Sequence, residues 1–316
     1  MMRIFSDLTN LSADAGNKNK QMKSIKIIQL LLFITAGFSL IMVSCQKMER
    51  PPLGEIIQDP LPPALVIGDA KSYWPFDGNA RDTGEYRMVS TVKTVSYVPG
   101  VAAVPTVTGG EAAQIGTNGY VAVSAVNDGL KTPGSISVAF WMKGATGPVQ
   151  GGAQGIFAIS NSTQFWGNLE IFLENYTDAA DPNAVFMKIH LLNGNIAGGG
   201  EEWIADDNVK IKNVLGKWTH IALTYNAATS MITLYKDGAP TLVNNKVLRA
   251  GAYGNLKFDN LTGVVLGSFA FQTTPSFTNH GPESWAKSFN GALDQFRIYT
   301  KALTAAEVLN LYNNKL

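Results

Sequence analysis

Apolar and polar residues alternate with a period of two over short stretches along most of the chain. The clearest stretch is Trp218–Gly238. There Thr219, Ile221, Leu223 and Tyr225 point one way, and Trp218, His220, Ala222 and Thr224 the other. Ile232–Lys236 alternates again after the polar connector Asn226–Ser230. Two such runs joined this way predict an antiparallel hairpin. Lys236-Asp237-Gly238 carries an Asp-Gly turn signal, so a third strand is expected at Thr241–Val243.

The same pattern recurs at Ile136–Lys143, with Ile136, Val138, Phe140 and Met142 on one face and Ser137, Ala139 and Trp141 on the other. Further strands are expected at Ser72–Phe76, Met88–Tyr97, Glu111–Ile115 and Tyr120–Ala125, the last two flanking Gly116–Gly119. Gly155–Ser160, Leu169–Leu173, Val185–Leu192, Val264–Gly267 and Phe289–Tyr299 complete the set. Pro75 assigns the first of these to a sheet edge. Asn193–Gly200, NGNIAGGG, reads as a flexible loop at one end of the fold. Thr304-Ala305-Ala306-Glu307 has the S/T-x-x-E capping pattern ahead of Val308, Leu309, Leu311 and Tyr312. A terminal helix of about two turns is expected, packed by its leucines.

Many short strands between Gly, Asn, Asp and Pro clusters predict an all-β, two-sheet antiparallel sandwich with a short C-terminal helix. The 316 residues are 46% hydrophobic, with 31 Gly and 14 Pro, and suit few long helices. From Ile67 to Leu316 no second tether interrupts the pattern, so residues 67–316 read as one domain.

The N-terminal part reads differently. Lys23 and Lys26 precede the apolar run Ile27–Val43, which is followed by the small Ser44, so residues 1–44 have the organisation of a secretory signal. Met42-Val43-Ser44-Cys45 resembles a bacterial lipobox, in which Cys45 becomes the lipidated first residue of the mature protein. A single membrane-spanning anchor is the competing reading, but the run is short for one. Polar Met1–Gln21 lacks a targeting pattern, and translation from Met22 is expected. Residues 45–66 contain five prolines and form a semi-stiff tether. Gln46-Lys47-Met48-Glu49 loosely resembles signals that send lipoproteins to the outer surface of Gram-negative bacteria. An outer-membrane lipoprotein at the cell surface is the expected location.

Charge narrows the partners. The chain carries a net +1, and without residues 1–44 it holds 20 basic against 22 acidic residues, a net of −2. A nucleic-acid partner is not expected, and membrane contact is expected through the lipid anchor only. Cys45 is the single cysteine, which excludes an intrachain disulfide.

Trp-Thr-His-Ile-Ala-Leu-Thr-Tyr of residues 218–225, followed by Ile-Thr-Leu-Tyr-Lys-Asp-Gly of residues 232–238, resembles the central signature of the LamG-like jellyroll family. That family belongs to the concanavalin A-like lectin and glucanase folds. Trp74-Pro75-Phe76-Asp77-Gly78-Asn79 resembles its opening motif and Val138–Lys143 its first inner strand. Phe289–Tyr299, with Lys301-Ala302-Leu303-Thr304 and Glu307, resembles its C-terminal signature. The resemblance implies a jelly roll with its first and last strands side by side, and leaves function open because such sandwiches host lectins, hydrolases and adhesion modules.

Three kinds of chemistry fit the residues. Asp77, Asn79 and Asp82 place oxygen donors around Gly78, and the family fold would bring Asp294 to the same place. Such a set suits a structural Ca²⁺, which takes six to eight oxygens; a turn in which these side chains bond nearby amides fits equally. Glu170-Ile171-Phe172-Leu173-Glu174 superficially resembles the Glu-x-Asp-x-Glu strand of jelly-roll glucanases, with Phe172 in place of the central acid. Glu170 and Glu174 share a face and are the alternative catalytic pair; the plainer reading is an outward acidic strand face. Trp166, Trp203 and Trp285 lie off the strand alternation, in polar loops where an indole can stack on a sugar ring. Of the histidines, His220 is expected to be a satisfied structural residue, and no two share zinc-ligand spacing. A non-catalytic glycan-binding domain is the leading reading, with a glycoside hydrolase or an adhesion module as rivals.

Overall fold

An alternating strand offers one apolar face, and burying that face requires a second layer. In the computed structural model, residues 69–101, 110–241 and 246–315 are described, all within one compact unit, Leu61–Leu316. The expected signal segment, Cys45 and the tether lie outside the described residues. Strand β1 (Ser72–Trp74) stops before Pro75. A long antiparallel pair, β2 (Ser90–Pro99) and β3 (Glu111–Val123), leads into β4 (Ile136–Gly144) and β5 (Ala153–Ile159). Next come β6 (Leu169–Glu174), β7 (Val185–Leu192), β8 (Glu201–Ile204) and β9 (Lys210–Ile211). The signature stretch forms β10 (Thr219–Asn226) and β11 (Met231–Lys236), followed by β12 (Ala239–Pro240) and β13 (Lys246–Val247). The last strands are β14 (Val264–Leu266), β15 (Ala286–Ser288) and β16 (Gly291–Tyr299), ahead of helix α1 (Ala305–Asn313).

Hydrogen bonding runs β12-β11-β10-β4-β16-β3-β14-β5-β6-β7-β8. The path folds into two layers at β3. Ala113–Ile115 pair with β16, whereas Val121–Val123 pair with β14. Between them Asn118 takes φ 55°, and a Cβ on Gly119 would lie 2.5 Å from the Thr94 carbonyl oxygen. Glycine is required at that approach. The two strands expected on either side of Gly116–Gly119 are therefore one strand with a corner, which carries the chain from the first sheet to the second.

The core fills the space between the layers. Val138, Phe140 and Met142 of β4 and Ile221, Leu223 and Tyr225 of β10 face Phe157 and Ile159 of β5 and Leu169, Ile171 and Leu173 of β6. Register follows the alternation, with Leu223 opposite both Val138 and Leu234. Strand β12 begins two residues before the expected Thr241. Asp237 (φ 50°) and Gly238 (φ 80°) form a two-residue turn, so pairing resumes immediately at Ala239.

Helix α1 has the expected capping box. Thr304 accepts from the Glu307 amide at 3.2 Å, and Glu307 accepts from the Thr304 amide at 2.7 Å. Its packing meets expectation in part, since Leu311 packs against the buried cluster of Ala139, Tyr235 and Leu303. Leu309 is 46% exposed, while Val308 is buried and Tyr312 stacks on Trp141 at 5.6 Å. Residues four apart share a helix face, so Val308 and Tyr312 set the buried side. His220 packs beside this contact, 5.1 Å from the Trp141 ring. Contrary to expectation neither of its ring nitrogens has a hydrogen-bond partner. Burial, helped by the Arg297 charge, lowers its pKa to about 3 and keeps it neutral.

Candidate functional site

On the outer face of the second sheet, three separate segments bring their aromatic residues together. The first is the loop after β5. There Asn161 accepts from the Thr163 amide (3.0 Å), and Asn168 donates to the Asp259 carbonyl (2.9 Å), holding Phe165 and Trp166 over the sheet. The second is β8, where Trp203 sits directly opposite His190 of β7. The third runs from Phe269 to Trp285 and is closed by Gln272, which donates to the Glu283 and Ala286 carbonyls at 2.8 and 2.7 Å.

Trp166 is the hub. Its ring lies 4.9 Å from Trp203, 5.9 Å from Trp285 and parallel to Phe172 at 5.6 Å. Phe271 stacks on Phe165 at 4.6 Å and on Phe269 at 5.0 Å. The three tryptophans singled out in the sequence thus meet in one cluster. Trp203, expected in a loop, lies on the short edge strand β8, whose opening Glu201-Glu202 hides the alternation. No local pattern marks Phe165, Phe172, Phe269 and Phe271 as neighbours, since only the crossing of three distant segments unites them. Trp285 is the most open member, at 39% exposure.

Beneath the rings lies a polar floor. Glu170 stands opposite His190 in the β6–β7 register, and both are buried. The expectation of an outward acidic face fails for Glu170, because the two aromatic loops roof that part of β6. Neither carboxyl oxygen has a hydrogen-bond partner. Burial pushes the Glu170 pKa up to about 8, against the pull of the nearby Gly167 and Ala270 backbone, so the acid is protonated at neutral pH. His190 is driven down to about 4 by burial, against the Glu201 carboxylate. Glu201 accepts from the Trp203 indole at 3.1 Å and lies 3.1 Å from His190 Nε2, while His190 Nδ1 is unpartnered.

Glu174, on the same face, is paired with Lys188 at 2.9 Å. Four residues of strand place Glu170 and Glu174 about 13 Å apart along the backbone. A retaining pair needs about 5–5.5 Å and an inverting pair at most about 9.5 Å. The spacing along the strand matches neither geometry.

The oxygen donors near the N-terminus part company. Asp82 is buried and accepts from the Tyr73 (2.8 Å), Gly84 (2.9 Å) and Met88 (3.0 Å) amides. Asn79 donates to the Asp77 carbonyl and accepts from the Arg81 amide, both at 2.9 Å. Asp77 accepts from the Gly110 and Glu111 amides, and Asp294 from the Val101 amide at 2.8 Å. Burial pushes Asp294 up to about 7, and the Asp77 charge adds to the rise. The expected adjacency of first and last strands is present, with Tyr73 opposite Arg297. Among the described residues no three His, Cys, Asp or Glu side chains converge on a metal-holding position.

Residues 115–309 match a family model described as the concanavalin A-like lectin/glucanases superfamily. The chain belongs to this superfamily. The matched span runs from the corner in β3 into α1 and includes every residue of the aromatic cluster. No curated protein matches the chain. Among solved structures, the binding domain of Paraclostridial Mosquitocidal Protein 1 is 16% identical with a TM-score of 0.51, over 78% of this chain and 52% of that one. Domain 4 of AbnA, an extracellular GH43 arabinanase from Geobacillus stearothermophilus solved with arabinotriose, is 18% identical with a TM-score of 0.48, over 78% of this chain and 100% of that one. The receptor-binding domain of botulinum neurotoxin C/D mosaic serotype is 14% identical with a TM-score of 0.48, over 78% and 51%. The superfamily chain spans about half the length of the toxin binding domains it matches, and at these identities the likeness is one of fold.

Proposed function

We propose that this chain is a non-catalytic carbohydrate-binding protein held at the outer-membrane surface by a lipid on Cys45. One observation carries the binding reading: Trp166, Trp203 and Trp285, from three separate segments, form one surface cluster edged by Glu201. Indole faces match the C–H face of a sugar ring, and the edging carboxylate can accept from its hydroxyls. The test is retention on immobilised neutral polysaccharides. Trp285→Ala with Trp203→Ala is expected to abolish retention while the melting midpoint shifts by only a few degrees. Full retention by the double variant rejects the reading.

The anchor rests on the sequence from Lys23 to Cys45. In cell fractionation, Cys45→Ser should move the protein from the membrane to the soluble fraction; continued membrane association would refute lipidation. A structural calcium belongs to the same proposal, held by Asp77 and Asp294, where the charge of Asp77 already acts on Asp294. Thermal melts in Ca²⁺ and in chelator are expected to differ, and coincident curves remove the ion.

A further inference from the structure

A second open site lies on the outer face of the first sheet, away from the aromatic cluster. A groove of about 550 Å³ runs between the ends of β4, β10 and β16, a size suited to one or two sugar rings. Its wall is the half-buried ring of Trp218, and Lys143 flanks it. Thr219 pairs with Met142, so Trp218 and Lys143 are the next neighbours across β10 and β4. Small residues keep the floor low. Ala292 lies opposite Lys143, and a Cβ on the adjoining Gly291 would run into the Lys143 carbonyl oxygen. Thr146 and Asn290 supply polar groups at the rim.

Charge distinguishes this groove from the cluster on the other face. No Asp or Glu lines it, and Lys143 is exposed and makes no ion pair among the described residues. The aromatic cluster, by contrast, holds Glu170 and Glu201.

We infer that the Trp218–Lys143 groove is a second glycan site, which takes a pyranose ring carrying a carboxylate. The ring stacks on Trp218 and the carboxylate meets the Lys143 ammonium. The inference uses no residue of the aromatic cluster, so either site can fail alone. The test is calorimetric titration of the mature chain with trigalacturonate and with maltotriose. Trigalacturonate is expected to bind saturably at low salt and to weaken several-fold between 20 and 200 mM NaCl. Lys143→Glu should weaken it at least tenfold with an unchanged midpoint, and Trp218→Ala comparably, whereas Trp285→Ala should leave it unaltered. Lys143 is a surface side chain, so its variant remains informative even if Trp218→Ala does not fold. Equal affinity for maltotriose, no heat with trigalacturonate, or full binding by Lys143→Glu would each overturn the inference.

Discussion

Glu170→Met is expected to raise the melting midpoint by about 2–12 °C at pH 5 and by roughly 10 °C more at pH 8. The carboxyl is fully buried, neither oxygen is hydrogen-bonded, and its pKa stands at about 8. An unsatisfied buried polar group costs roughly 1–3 kcal/mol, and methionine fills similar space without that cost. At this chain size each kcal/mol moves the midpoint by about 2–4 °C. The sign with pH follows from linkage. The folded pKa lies above the ordinary value of 4.5, so the unfolded chain ionises first. Folding then takes up a proton, and stability falls as pH rises from 4.5 toward 8, by about 1.4 kcal/mol per unit. Asp294, at about 7, acts in the same direction.

His190 and His220 act in the opposite sense. Their folded values of about 4 and 3 lie below the ordinary 6.5. The stability they support is present above 6.5 and is lost as pH falls through that range toward the folded values. The native chain should therefore show a broad maximum near pH 4.5–6.5, and Glu170→Met should flatten its alkaline side. Calorimetric scans across pH 4–9 measure both. Equal midpoints for variant and native chain at pH 8 would sink the account of Glu170.

Phe296→Ala should cost about 3–5 kcal/mol, near the top of the range for emptying a buried aromatic site. Phe296 is fully buried and joins the two layers. It stacks on Phe140 of the first sheet at 4.9 Å, approaches Phe157 of the second at 5.2 Å, and meets Trp74 edge-on at 6.3 Å. The register of β16 shifts between Asp294 and Arg297, with Gln295 at φ 47°. Rigid backbone at this bulge limits collapse around the void. Chemical denaturation should show the midpoint falling with little change in slope, and Phe296→Leu losing roughly a third as much. A loss below about 1 kcal/mol for the alanine variant would contradict the bridging role.

What the chain makes legible on its own is its short-range pattern. The alternation in Ile136–Lys143 and Trp218–Lys236 places the inward rows of β4, β10 and β11, because side-chain direction in a strand follows from position alone. The helix cap at Thr304 and the turn at Asp237-Gly238 are local in the same sense. Trp166, Trp203 and Trp285 stand out as aromatics that the alternation does not explain, and this singles out residues without saying that they touch.

Tertiary structure decided what distance in sequence conceals. Glu170 reads as an outward acid until two loops, beginning at Asn161 and Phe269, close over β6 and remove it from water. The strands expected either side of Gly116–Gly119 become one because their separate partners, β16 and β14, lie in different layers. The Trp218–Lys143 groove exists because three strand ends stop at the same level. Burial and enclosure depend on every segment that crosses a point, whereas alternation depends only on the residue's own strand.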